Sequence, residues 1–142
     1  MIKRKANAIW EGDLKKGKGA LSVGSGAFTG KYSFTSRFEE GTGTNPEELI
    51  GAAHAGCFSM ALSGDLTRAG YVVNEIRTEA IVSMEKGESG FSISGIKLVT
   101  KAKVPEIKME EFAEIASGAK NNCPVSKALK AVPVQLEAHL LK

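Results

Sequence analysis

The chain of 142 residues holds only two cysteines, Cys57 and Cys123, and only two histidines, His54 and His139. Two cysteines set far apart do not make the disulfide framework of a small secreted protein. In a reducing compartment such a pair reads as two free thiols or as a redox couple. Two Cys and two His without paired ligand spacing do not make a zinc motif, so no metal is expected. No Walker loop and no dinucleotide fingerprint is present, so no cofactor is expected either. The glycine-rich stretch "GKGALSVGSG" sits in a strand and turn context and reads as hairpin chemistry. Aromatics are sparse, at 6%, and the net charge is a mild +3. No basic stripe interleaved with aromatics exists, which argues against nucleic acid as a partner. Long apolar runs are missing too. The longest, Leu49 to Leu62, is about 14 residues and contains His54, short of the ~20 a bilayer requires. "MIKRKANAIWEGD" has charge but no apolar h-region. The expectation is a cytoplasmic protein with no membrane partner. Without repeats, linkers or low-complexity segments, residues 1–142 read as a single domain.

What is present alternates strands and helices. Three strand-like stretches open the chain: "RKANAIWEG", "GKGALSVGSGAF" and "KYSFTSRF". In the third, Tyr32, Phe34, Ser36 and Phe38 alternate with Ser33, Thr35 and Arg37, a period of two that predicts a strand with Arg37 on its polar face. "GTGTNPEEL" then predicts a helix start, with Asn45 as N-cap, Pro46 at the first helical position and Glu48 at capping-box spacing. No breaker follows until Gly70, a natural stop after Ala69. Such a helix spans roughly 36 Å. "YVVNEIRTEAIVSME" and "FSISGIKLVTKAKV" predict a hairpin through "KGESG". "MEEFAEIASGAK" is amphipathic, with Met109, Phe112, Ile115, Ala116 and Ala119 on one side. "NNCPVSKALK" reads as a turn and short helix, and "VPVQLEAHLL" as a closing strand. The order βββ-α-ββ-α-α-β makes the fold α+β, an antiparallel-rich sheet packed on a long central helix.

Several residues carry chemistry or its bland alternative. Cys57 lies in the apolar helix, where a cysteine is often an inert small hydrophobe. His54, three residues earlier, shares its helix face, and a histidine near a thiol favours the thiolate. Cys123 sits just before a helix start, where N–H groups and the dipole favour a thiolate or the sulfur merely caps. Glu47 and Glu48 suit a first helical turn, and Glu48 fits the cap. Arg37 fits a solvated strand charge, and His139 a structural role. Ala52, Ala55, Gly56, Ser59 and Ser63 form a stripe of small residues, which packs either on the chain's own sheet or on a partner helix. On these local grounds both readings of Cys57 stay open.

"GTNPEELIGAAHAGCFSMAL" and "CPVSKAL" together resemble the OsmC/Ohr family, the osmotically inducible protein C and organic hydroperoxide resistance proteins. The element order and "AIWEGDLKKGKG" extend the resemblance over the whole chain, and it is closer to the OsmC branch. The resemblance implies a thiol-dependent peroxidase that reduces organic hydroperoxides. It implies Cys57 as the peroxidatic cysteine, Cys123 as the resolving one, and Arg37 with Glu47 as the activating pair. It also implies an intertwined homodimer with active sites at the subunit interface. Re-reduction would come from a dithiol, in some members the dihydrolipoamide of a lipoylated protein. Gly56 stands where related sequences often have Ala, which implies altered packing next to the thiol.

The implied chemistry runs through a Cys57 sulfenic acid to a Cys57–Cys123 disulfide. One geometric constraint follows. Glu47 and Cys57 are ten residues apart, about 15 Å along a straight helix. Either the helix breaks, near Gly51, or Glu47 reaches the Cys57 of another subunit. Two other functions fit the residues less well. A hydrolase built on Cys57 and His54 lacks a third orienting group. A dimeric small-molecule carrier would keep the pocket and use its thiols structurally.

Overall fold

The computed structural model describes residues 1–142. The chain forms two compact units, Met1–Leu49 and Ile50–Lys142. In the first, β1 (Ala6–Glu11), β2 (Lys18–Val23) and β3 (Thr29–Tyr32) make an antiparallel sheet in the order β1-β2-β3. Its register pairs Trp10 with Gly19 and Gly19 with Tyr32. Gly19 is there for space. A Cβ at that position would sit 2.5 Å from the Tyr32 ring and 2.7 Å from the Trp10 ring. The two rings meet with centroids 5.3 Å apart.

The predicted third strand ends early. After Tyr32 the chain turns into a short helix, α1 (Phe34–Phe38), so Arg37 lies on a helix and not on a strand. The cause is local. Ser33 accepts from the Ser36 N–H, and the Ser36 hydroxyl accepts from the Ser33 N–H, a reciprocal capping box. Phe34 and Phe38 also satisfy helical i,i+4 spacing, and their rings stack at 5.0 Å.

Helix α2 (Pro46–Arg68) begins in the first unit and continues into the second. Asn45 caps it as predicted, its Oδ1 accepting from the Glu48 N–H at 2.8 Å. The Glu48 carboxylate accepts instead from the Thr44 hydroxyl at 2.7 Å. At the other end Gly70 adopts φ 95°. Its N–H bonds the Thr67 carbonyl while the Tyr71 N–H bonds that of Leu66, the double closure of a Schellman motif.

In the second unit, β4 (Glu75–Gly87) and β5 (Gly90–Lys103) form the predicted hairpin around Glu88 and Ser89. β6 (Val134–Leu141) joins β5 in parallel, giving the order β4-β5-β6. Between them lie α3 (Met109–Asn122) and the short α4 (Pro124–Ala128). The fold class is α+β as expected, with the strands divided between two three-stranded sheets and α1 as an extra helix. One core is shared by Phe58, Leu62 and Leu66 of α2, Ile96 and Leu98 of β5, and Phe112, Ala116 and Ala119 of α3. The predicted apolar face of α3 is thus the buried one, although Met109 stays exposed at its rim. No helix is long and apolar enough to cross a membrane.

Candidate functional site

In the first unit α1 and the start of α2 bring Arg37 and Glu47 together. The Arg37 Nε–H donates to Glu47 Oε1 at 2.9 Å. The Phe38 ring lies under the guanidinium at 5.1 Å, a cation–π contact. Glu47 is buried and its Oε2 has no partner. Pairing through Nε leaves the Nη donors of Arg37 for a ligand, and the side chain is 38% exposed. Arg37 also lines a cavity of about 210 Å³ together with Trp10, Leu14, Tyr32, Phe34 and Phe38. The cavity is largely aromatic, with one cation in its wall.

In the second unit the two cysteines meet. Both are free thiols. Cys57, half-buried, points from the middle of α2 toward the start of α4 and packs against the core. Its sulfur neighbours the Cys123 thiol and the Val125 N–H. Burial pushes the Cys57 thiol above its ordinary pKa. The Val125 N–H opposes that rise and the neighbouring Cys123 sulfur adds to it. Cys123, 1% exposed, ends α3 and caps α4, its sulfur accepting from the Ser126 N–H at 3.4 Å. Its predicted place before Pro124 is the observed one.

His54 does not serve Cys57 in the manner its spacing suggests. It is fully buried, and its Nε2 lies 2.7 Å from Ser126 Oγ. Burial lowers its pKa and favours the neutral ring. The direct Cys–His pair that a hydrolase requires is therefore not the bond this histidine makes. The small-residue stripe divides in two. The Ser59 hydroxyl donates to Thr78 on β4, within the chain's own sheet. Ala52 and Gly56 are exposed. An added Cβ at Gly56 meets nothing within 4 Å, so the expected change of packing beside the thiol does not occur within the protomer. His139 is exposed on β6, 3.7 Å from Glu137.

Helix α2 runs unbroken through Gly51, so the predicted break is not there. Sequence reasoning missed Ser126, and missed Trp10 and Leu14 as walls of the aromatic cavity. Ser126 could have been found from "CPVS", because the third residue after an N-cap is where cap partners lie. The cavity had no local signal, since Trp10 and Leu14 come from β1 and the turn after it.

The comparisons with known proteins agree with one another. The family described as OsmC-like protein matches residues 39–137. Peroxiredoxin OsmC of Escherichia coli (strain K12) is 51% identical over 131 residues, 92% of each chain. Organic hydroperoxide resistance protein OhrB of Bacillus subtilis (strain 168) is 38% identical over 99 residues, 68% of this chain and 70% of that one. Among solved structures, OhrB of Bacillus subtilis superposes with a TM-score of 0.72 at 27% identity, covering 96% of this chain and 98% of that one. An OsmC-like protein of unknown function from Vibrio cholerae superposes at 0.78 with 15% identity, over 97% and 99% of the two chains, and so shares the fold. This chain belongs to the OsmC family.

Proposed function

We propose that this chain reduces organic hydroperoxides to alcohols by a two-cysteine mechanism. Its relatives, a peroxiredoxin and an organic hydroperoxide resistance protein, support peroxidase chemistry at the family level. The observation that carries the two-cysteine reading is the proximity of Cys57 and Cys123, two free thiols close enough to influence each other's ionisation. A sulfenic acid formed on one sulfur has the other thiol in place to resolve it.

The Cys57 thiolate attacks the distal peroxide oxygen. The O–O bond breaks, the alkoxide takes a proton and leaves as alcohol, and Cys57 becomes a sulfenic acid. Cys123 then attacks that sulfur, hydroxide leaves as water, and a disulfide remains. An external dithiol, such as one on a lipoylated protein, reduces it by exchange. A thiol whose pKa burial has raised requires an outside cation to ionise. Arg37 is suited to supply it, held by Glu47 and free at its Nη groups. The aromatic cavity beside Arg37 favours alkyl or aryl hydroperoxides, because each buried CH₂ adds about 0.8 kcal/mol.

The active form is a homodimer in which Arg37 and Glu47 serve the Cys57 of the partner. Two observations support it. α2 does not break between Glu47 and Cys57, and about 15 Å of helix separates them. The outward face of α2, with Ala52, Gly56 and Met60, the last 80% exposed, is apolar and lacks cover in the protomer.

The test is thiol titration before and after one equivalent of cumene hydroperoxide. Wild type loses two thiols. Cys123→Ser accumulates a sulfenic acid, and Cys57→Ser does not react rapidly. Peroxide consumption by Cys57→Ser at the wild-type rate would overturn the assignment. For the shared site, Arg37→Met and Cys57→Ser are each inactive alone. A mixed dimer of the two regains about half of one wild-type dimer's activity only if the site is built from both chains.

A further inference from the structure

His54 is buried, titratable and unused by the steps above. Its surroundings give it a defined place. Ser126 Oγ stands between His54 Nε2, at 2.7 Å, and Cys123 Sγ, at 3.1 Å. The Cys123 S–H donates to that oxygen. The serine proton is then free to point at Nε2, which leaves the histidine's own proton on Nδ1. Nδ1 is buried and has no partner. Cys57 neighbours Cys123. Cys57, Cys123, Ser126 and His54 thus form one cluster inside the second unit. Buried polar atoms are nearly always paired, and a histidine left half-satisfied in a core is costly unless it does something there.

We propose that Ser126 and His54 relay the Cys123 proton as Cys123 attacks the Cys57 sulfenic acid. The inference rests on the reading of Cys123 as the resolving thiol. The Cys123 sulfur gives its proton to Ser126 Oγ, which passes its own to His54 Nε2. The electron pair left on Cys123 forms the S–S bond. The Cys57 S–O bond breaks and its pair departs with hydroxide, which takes the relayed proton back and leaves as water. The Cys123 sulfur is oxidised, the sulfenic sulfur is reduced, and no outside reagent enters. His54 acts through Ser126 and is a positioning residue for the proton. Its one hydrogen-bond partner is Ser126, and burial alone, with no charged side chain, lowers its pKa. It therefore stays neutral and able to accept over the ordinary working range.

The relay lets a buried thiol attack without ionising beforehand. An unassisted thiol is a poor nucleophile and has to lose its proton first. With the relay, the proton leaves in the same step as the attack, a type of assistance worth about 10²–10⁴-fold.

The test is a single turnover with one equivalent of cumene hydroperoxide. Sulfenic acid is followed by dimedone trapping, and disulfide by loss of the second thiol. Ser126→Ala and His54→Gln form sulfenic acid as fast as wild type but close the disulfide about 10²-fold more slowly. Their closure rates rise about tenfold per pH unit across the neutral range, because the attacking thiol then has to lose its proton beforehand, where wild type is nearly flat above pH ~6.5. Ser126→Thr keeps the hydroxyl and restores the flat profile. Should His54→Gln fail to fold, the two serine variants decide alone. If wild type loses two thiols and Ser126→Ala matches its rate and pH profile, the relay is wrong while the two-cysteine reading stands. If wild type loses only one thiol, both fall.

Discussion

The first unit holds the charge and the second holds the sulfur. Around Arg37 and Glu47 the protein is polar and open. The buried residues there are Ser36, Thr44 and Glu47, and apolar side chains such as Ile9, at 57%, and Leu14, at 62%, lie exposed. Cys57 and Cys123 belong to an apolar cluster, and the whole buried hydrophobic core lies in this unit, from Phe58 to Cys123. On the proposed mechanism the difference separates two demands on Cys57. As the attacking thiol it would require a dry, fixed setting beside Cys123, and such a setting raises its pKa. It also requires a cation, which a dry core cannot hold cheaply.

That contrast can be broken or sharpened by experiment. Phe112→Ala empties the second unit's core and should cost about 3–5 kcal/mol in chemical denaturation. Leu14→Ala, in the first unit, should stay within about 0.5 kcal/mol for an isolated protomer. Equal losses would show that the two units share one core. Arg37→Met should lower the rate of peroxide reduction by about 10²–10³-fold. The pH profile of Cys57 alkylation by iodoacetamide should move upward with it, since the cation that favours the thiolate is gone. An unchanged alkylation profile would place the activating charge elsewhere. Phe34→Ala should narrow the preference for cumene hydroperoxide over hydrogen peroxide by about tenfold, by removing apolar wall from the cavity. A loss shared equally by both substrates would count against the cavity as the alkyl site.

The smallest effect concerns acid stability. His54 is held neutral by burial, so its folded pKa lies below the unfolded value of about 6.5. Below that pH the unfolded chain binds the extra proton, and stability falls by up to about 1.4 kcal/mol per pH unit until the folded group titrates as well. Above it the contribution is complete. His54→Gln should flatten the fall between pH 6.5 and 5 in urea melts, whereas the same change at exposed His139 should not.

Much of the fold was legible because its signals are local. Asn45 and Pro46 mark a helix start, Gly70 marks its end, and "KGESG" marks the hairpin, and each is where the chemistry of caps and turns places it. Arg37 was misplaced because Phe34 and Phe38 satisfy strand and helix spacing alike, and the deciding bonds come from Ser33 and Ser36. The cysteines were legible only as residue types. Their meeting depends on the path from α2 through the hairpin and α3 to α4, and no short window contains it. His54 was noted for its place beside Cys57, but its partner is elsewhere. Helical spacing placed it near Cys57, whereas the hydrogen bond goes to a serine far along the chain.

The unpaired Nδ1 of His54 also bears on how this protein can be improved. A sequence selected for stability alone gains little from an imidazole in that core, because its Nδ1 is buried there without a partner. Position 54 is therefore where a search for heat-resistant variants should find its early gains, and where those gains should come with slower turnover.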